Sequence, residues 1–297
     1  YFIARYVLIQ TIQLKVIGSI MKKNTIFILA LILFIGFKNT KAANDAVDIW
    51  SNAKWIALEQ IEDSLKVVPG LHGLGKVPDN KYLKRSVVPL FRKAFNLNNT
   101  IESASINICG LGHYELYING NKIGDRFLAP GWSLYQKHYL YNSYDITESL
   151  KEGDNVIGAI VGNGFYNINN ERYRKLVIAY GYPKLIFNIT IRFSDGSIKN
   201  IVSDDQCKAS PSPITFSSIF GGEDYDSILE QEGWNIVGFD DSKWQNPVLL
   251  GSSIEKLIPE KDYPLKVMQK FETQKIFTSN TGKTIYDFGQ NTSEIIS

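Results

Sequence analysis

Beyond about residue 100, apolar and polar residues alternate with a period of two, the pattern of half-buried β-strands. The clearest strand is predicted over 185–193, where every second residue is apolar. Over 155–161 nearly every residue is apolar, as in a strand that is buried on both faces. No segment after residue 42 shows a sustained helical stripe, so the pattern predicts β-sheet throughout the body of the chain.

Turn signals divide these strands. Asn119-Gly120 follows an alternating stretch and predicts a two-residue hairpin, because both residue types tolerate positive φ. Asp195-Gly196 predicts a second turn, after which 198–202 returns as a strand. Short strands separated by turns every 8–12 residues or so are typical of sandwiches and jelly rolls. The predicted fold class is therefore all-β, with a jelly-roll β-sandwich.

The first 42 residues have the pattern of a leader. Two lysines after Met21 precede an apolar run over 25–37 and small residues around Ala42. These are the parts of a secretory signal peptide, and the run is shorter than the about 20 residues that span a bilayer. We expect a signal peptide over 21–42, and a secreted or periplasmic protein with no membrane contact after cleavage. Residues 1–20 are interpreted as an upstream extension outside the native protein, and a genuine extension stays open as the alternative.

A second change of organisation falls where glycine, serine and proline cluster, over 251–264. The apolar stretches 265–277 and 283–288 that come next resemble the first strands of another β-domain. We therefore predict a jelly-roll domain over 43–250. The remaining residues, 251–297, are predicted to hold a linker and the truncated start of a second β-sandwich.

Composition and charge narrow the function classes. The chain is 44% hydrophobic and 21% charged, as in ordinary globular proteins. Its net charge of +2 comes from the leader, since the residues after position 42 hold 26 basic and 30 acidic side chains. No basic patch therefore indicates a nucleic-acid partner. Two cysteines and three histidines do not have zinc-site spacing, and whether Cys109 and Cys207 form a bridge or two buried thiols stays open.

Common catalytic motifs are absent from the sequence, which has no Gly-x-Ser-x-Gly elbow and no His-Glu-x-x-His motif. Carboxylates do cluster in Gly-Gly-Glu-Asp-Tyr-Asp at 221–226. Their oxygens can bind calcium or sugar hydroxyls. A glycosidase pair needs two carboxyl groups about 5–9.5 Å apart across a cleft, which neighbours in one loop rarely achieve. A structural turn, a ligand or calcium site with Glu223 and Asp226, and a catalytic pair all stay open.

Two further segments suit sugar binding. Gly-Asn-Gly-Phe-Tyr at 162–166 ends the strand that is predicted to be buried. The carboxamide of Asn163 can both donate to and accept from a sugar diol, and Tyr166 can stack on a sugar ring. A β-bulge or sharp corner explains the same residues equally well. In the loop at 129–132, Trp132 is either a sugar platform or a cover for the core.

Several of these segments occur in a distinctive order. They are 90–95, 112–120, 124–125, 128–132, 144–147, 162–166, 221–226 and 286–291. Each is weak alone, but as an ordered set they resemble the N-terminal region of bacterial α-L-rhamnosidases, a family of glycoside hydrolases. The resemblance covers residues from about 50 to 297. It departs from the family pattern at Phe165 and Cys207, where tryptophan is common in relatives.

The resemblance implies that 43–250 is a jelly-roll domain that helps to recognise substrate, and that a concanavalin-like sandwich begins near 255. It also implies that a later (α/α)6 barrel, outside this chain, hydrolyses terminal α-L-rhamnose with inversion. This fragment alone is then expected to be inactive, with no catalytic residue of its own, and its partner would be a rhamnose-containing glycan.

Some related N-terminal domains bind rhamnose through calcium, and by that resemblance Asn163, Glu223 and Asp226 are candidate ligands. No other cofactor is expected. Two functions of other classes stay open: a stand-alone carbohydrate-binding module and a structural spacer domain.

Overall fold

The computed structural model describes residues 49–62, 65–66, 85–169, 172, 176–251 and 256–290. The predicted extension and signal peptide lie outside these residues. Within them no helix is long and apolar enough to cross a membrane.

The described residues form strands and short 3-10 turns without an α-helix, so the all-β prediction is confirmed. The strands are β1 Trp55–Ala57, β2 Pro89–Leu97, β3 Ile101–Leu111, β4 His113–Ile118, β5 Asn121–Lys122, β6 His138–Asp145, β7 Gly153–Gly162, β8 Asn167–Ile168, β9 Ile178–Ala179, β10 Lys184–Phe193, β11 Ile198–Val202, β12 Lys208–Pro211, β13 Ile214–Ser218, β14 Gly222–Tyr225, β15 Val248–Leu250, β16 Lys256–Pro259, β17 Lys275–Thr278 and β18 Thr284–Asp287. Single 3-10 turns lie at Thr147–Ser149 and Ser227–Leu229.

The larger sheet has seven strands in the order β15-β1-β10-β3-β6-β16, and β11 also pairs with β10. Its centre is the long antiparallel pairing of β10 with β3, in which Ile189 lies opposite Ile106. The strand at one edge of this sheet, β16, runs parallel to β6, with Ile258 opposite Leu140. Residues beyond 250 therefore complete the sheet that the earlier residues begin.

The second sheet has five strands in the order β12-β2-β7-β4-β5. The apolar faces of the two sheets enclose one core cluster, which includes Phe187 and Ile189 of the larger sheet and Phe91 and Leu116 of the smaller one. The predicted alternation of 185–193 is confirmed, because the five apolar residues at its odd-numbered positions all join that cluster.

The central strand β7 is buried on both faces, as its continuous apolar run predicts. Ala159 faces the core, whereas a Cβ added to Gly158 would lie 2.8 Å from the ring of Trp234 on the opposite face. The segment that contains Trp234 therefore covers the outer face of the smaller sheet.

Both predicted turns are confirmed. Asn119 and Gly120 have φ values of 50° and 86° and join β4 to β5, and Gly196 has a φ of 81° between β10 and β11. Further along the chain, β17 and β18 form a separate hairpin whose strand residues are all exposed.

Candidate functional site

Three aromatic side chains from separate loops form one surface. The indole of Trp132 stacks on the ring of Phe165, with centroids 4.4 Å apart and 3° between the planes. Phe165 also makes an edge contact with Phe220, at 6.1 Å between centroids. Trp132 is 56% exposed and Phe220 is also exposed. We call Trp132, Phe165 and Phe220 the aromatic platform.

The turn after β7 places Phe165 in this platform. Gly164 adopts a φ of 51°, and a Cβ there would lie 2.7 Å from Cδ2 of His113, so the turn packs closely against β4. The His113 ring then meets Phe165 edge-on, with centroids 6.1 Å apart. Glycine at 164 thus permits both the backbone conformation and the close approach.

Asn163, predicted as a sugar and calcium ligand, is fully buried at the base of the platform. Its Nδ2 donates to Ser86 Oγ at 3.0 Å and to the Ser217 carbonyl at 3.1 Å. Its Oδ1 accepts from Nδ2 of Asn167 at 2.7 Å. These bonds fasten the corner after β7 to the hairpin β13–β14, the structural role that the sequence left open.

Tyr166, predicted to stack on a sugar ring, does not belong to the platform's exposed surface. It is 4% exposed and packs against Tyr135 and Tyr180 at 5.3 and 5.7 Å. The ammonium of Lys184 lies 5.8 Å from its ring centroid. Its neighbours therefore form a small aromatic cluster on the outer face of the larger sheet.

Glu223 lies on β14 close to the platform, opposite Ser217 in the hairpin and three positions from Phe220. Partial burial, and secondarily the charge of Glu115, raise the pKa of the Glu223 carboxyl. Glu115 belongs to β4, where its carboxylate pairs with the ammonium of Lys122 and accepts from the Tyr117 hydroxyl. No pattern in the sequence indicates that the charge of Glu115 acts on Glu223.

Asp226, the third predicted calcium ligand, lies at the other end of the hairpin. Its backbone N–H donates to the Pro213 carbonyl at 2.9 Å, and its Oδ1 caps the 3-10 turn by accepting from the Ile228 N–H at 3.0 Å. Asp226 is three positions from Glu223, which corresponds to roughly 10 Å along a strand. Among the described residues no group of three His, Cys, Asp or Glu side chains is placed to hold a metal ion. The calcium site stays a prediction.

Arg172 adds a cation beside the hairpin. Its guanidinium lies 4.0 Å from the centroid of the Phe216 ring and pairs with the carboxylate of Asp224.

The two cysteines, in contrast, take no part in this surface. Cys109 and Cys207 are both free and buried, and burial raises the pKa of the Cys207 thiol to about 12.

Known proteins with similar sequences and folds point to one family. Residues 99–269 match the family model described as the alpha-L-rhamnosidase N-terminal domain. An α-L-rhamnosidase of Formosa agariphila is 35% identical over 246 residues, which cover 82% of this chain and 26% of that protein.

Two solved structures have the same fold. The α-L-rhamnosidase of Dictyoglumus thermophilum is 37% identical with a TM-score of 0.64, over 80% of this chain and 26% of that chain. The α-L-rhamnosidase of Streptomyces avermitilis, crystallised in complex with L-rhamnose, is 28% identical with a TM-score of 0.62. In that comparison 70% of this chain covers 20% of the other.

The chain spans a fifth to a quarter of the length of the curated relatives it matches. The family model nevertheless matches more than half of the chain, and the fold is that of the solved relatives. This chain therefore belongs to the α-L-rhamnosidase N-terminal domain family.

Proposed function

We propose that this chain is the non-catalytic, carbohydrate-recognising N-terminal part of an exported α-L-rhamnosidase that removes terminal α-L-rhamnose from glycans or glycosides. Its family membership supports the enzyme class, and the leader pattern before residue 43 supports export. Hydrolysis with inversion requires a general acid on the leaving oxygen and a general base that activates water on the opposite face of the sugar. We assign both to a catalytic domain outside this chain.

The aromatic platform is the observation that supports sugar recognition. Large exposed aromatic surface is unfavourable in water, and contiguous exposed patches commonly mark binding sites. Deoxy sugars such as rhamnose present C–H faces that pack on aromatic rings and hydroxyls that bond to carboxylates. Trp132 offers such a ring, and Glu223 offers a carboxylate in the same hairpin as Phe220.

Sugar recognition at the platform would raise the local concentration of glycan around a catalytic domain in the same protein. A tethered second site increases overall affinity without any new contact at the first site. The L-rhamnose complex of the Streptomyces avermitilis relative supports rhamnose as the sugar to test.

Calcium remains part of the proposal, with Glu223 and Asp226 as ligands and Asn163 beside them. The bonds of the Asn163 carboxamide to Ser86, Ser217 and Asn167 would have to rearrange for its oxygen to bind a cation. We therefore expect rhamnose binding in which calcium is an aid and not a requirement.

The test is calorimetric titration of the whole chain with L-rhamnose, first alone, then with calcium, then with chelator. Trp132→Ala should abolish binding, whereas Tyr286→Ala, which removes an exposed aromatic ring on the separate hairpin β17–β18, should leave it unchanged. Binding lost on chelation would make calcium essential. An absence of heat at millimolar sugar would refute recognition and favour a structural spacer.

A further inference from the structure

The loop that carries Trp132 is held by a residue 129 positions further along the chain. Oε1 of Glu260 accepts the Gly131 N–H at 2.8 Å, directly before Trp132. Oε2 accepts from Nη1 of Arg126 at 3.2 Å and also from Nδ2 of Asn142. The Glu260 side chain is only 10% exposed, so both oxygens are committed to this one loop and to strand β6 beneath it.

The same segment fastens the other end of the loop. The Phe127 N–H donates to the Leu265 carbonyl at 2.8 Å, and the ammonium of Lys266 lies 3.4 Å from a carboxylate oxygen of Asp125. Glu260 itself is anchored where β16 ends, since its N–H donates to the Tyr141 carbonyl at 2.9 Å. The loop is therefore fastened on both sides by residues that come after β16.

Glycine at 131 makes the closest of these contacts possible. A Cβ at Gly131 would lie 2.8 Å from Oε1 of Glu260, too close for any side chain to fit without movement. Hydrogen bonds that a carboxylate accepts from N–H groups are shorter and stronger than neutral ones. The bond to Gly131 thus fixes the backbone one residue before the indole that stacks on Phe165.

We propose that Glu260 is a positioning residue for the platform: it holds the Trp132 loop in the sugar-binding arrangement and so sets the affinity for sugar. This inference rests on the proposed sugar recognition at Trp132. A site that is ordered before binding loses less entropy on association than one that must be ordered by its ligand. Without Glu260, Trp132 would leave Phe165 part of the time and the sugar would have to restore the stack.

The test compares Glu260→Ala and Glu260→Gln in the whole chain, with Glu102→Gln as the control because Glu102 is exposed on β3. Hydrogen exchange measured by mass spectrometry should show faster exchange of the Phe127 and Gly131 amides in Glu260→Ala. L-rhamnose affinity should fall about tenfold, corresponding to about 1.4 kcal/mol. Glu260→Gln keeps one acceptor oxygen, so its amide exchange rates and its sugar affinity should lie between those of the parent and the alanine variant.

The proposal would be overturned if the loop amides of Glu260→Ala exchange as slowly as those of the parent. It would also be overturned if Glu260→Ala keeps its sugar affinity while Trp132→Ala abolishes binding. Uniformly faster exchange over the whole sandwich would also overturn it, because Glu260 would then serve overall stability. If the parent chain binds no sugar, the proposed function fails, and local exchange at Gly131 still decides whether Glu260 orders the loop.

Discussion

The rings of Trp132 and Phe165 lie face to face, 4.4 Å apart at their centroids, although the two residues belong to different loops. Phe165 also contacts His113 and Phe220 edge-on. It therefore supports the exposed indole from below, so that one face of Trp132 packs on protein while much of the remaining ring surface meets solvent.

Replacing that support should affect both stability and binding. We expect Phe165→Ala to lower the free energy of unfolding by about 2 kcal/mol, less than the roughly 3–5 kcal/mol of a fully buried phenylalanine, and to weaken L-rhamnose binding. Urea unfolding and calorimetry measure the two effects. Phe165→Trp, which keeps an aromatic ring at this position, should preserve stability and sugar binding, and Phe277→Ala in the exposed β17 should change neither. Full sugar affinity in Phe165→Ala would show that the stack is unnecessary.

The environment of His113 predicts that the stability of the folded chain depends on pH. Burial lowers the pKa of the imidazole below its ordinary value of 6.5. The carbonyl groups of Pro130 and Leu128 oppose this shift, but neither ring nitrogen forms a hydrogen bond within the described structure. The folded state therefore prefers neutral His113, and the stability that depends on it is fully present above the unfolded pKa and declines as the pH falls below it.

We accordingly expect the free energy of unfolding to fall between about pH 7.5 and 5.5, because the unfolded chain takes up a proton there that the buried ring resists. The sugar affinity of the folded chain should fall only at lower pH, where the buried ring itself becomes charged beside Phe165. His113→Gln should flatten this pH dependence, and His138→Gln serves as the control for loss of a histidine elsewhere. A parent protein whose stability stays constant across this range would contradict the prediction.

The sheets could be predicted from sequence because their signal is local. Alternation along β10 and the positive φ at Gly120 are decided by neighbouring residues. The platform depends on contacts between distant loops, and nothing near Trp132 in the sequence indicates that Phe165 lies against it. The loop around Trp132 is enough to suggest a sugar platform, whereas Tyr166, one position after Phe165, points into the aromatic cluster around Lys184.

A buried ion pair attaches the segment that covers the outer face of the smaller sheet. The guanidinium of Arg92 is 3% exposed and pairs with the carboxylate of Asp241, and it also donates to the Ile236 carbonyl at 3.2 Å. Since removing one partner leaves a buried charge without its counter-ion, Asp241→Ala should lower the free energy of unfolding by about 3 kcal/mol. Asp205→Ala, at an exposed carboxylate, should change it by at most about 0.5 kcal/mol. Equal effects in urea unfolding would show that the pair is not stabilising.

The proposed domain boundary near residue 250 has a direct test, because β16 pairs with β6 beyond that point. A chain of residues 43–250 lacks β16 and Glu260, whereas one of residues 43–269 keeps both and ends before the hairpin β17–β18. Because each lost hydrogen bond costs about 0.5–1.5 kcal/mol, the shorter chain should be less stable by roughly 2 kcal/mol or more. Its exposed β6 edge should also promote association, seen by light scattering. Equal melting temperatures would instead place the boundary at 250 and make β16 dispensable to the sandwich.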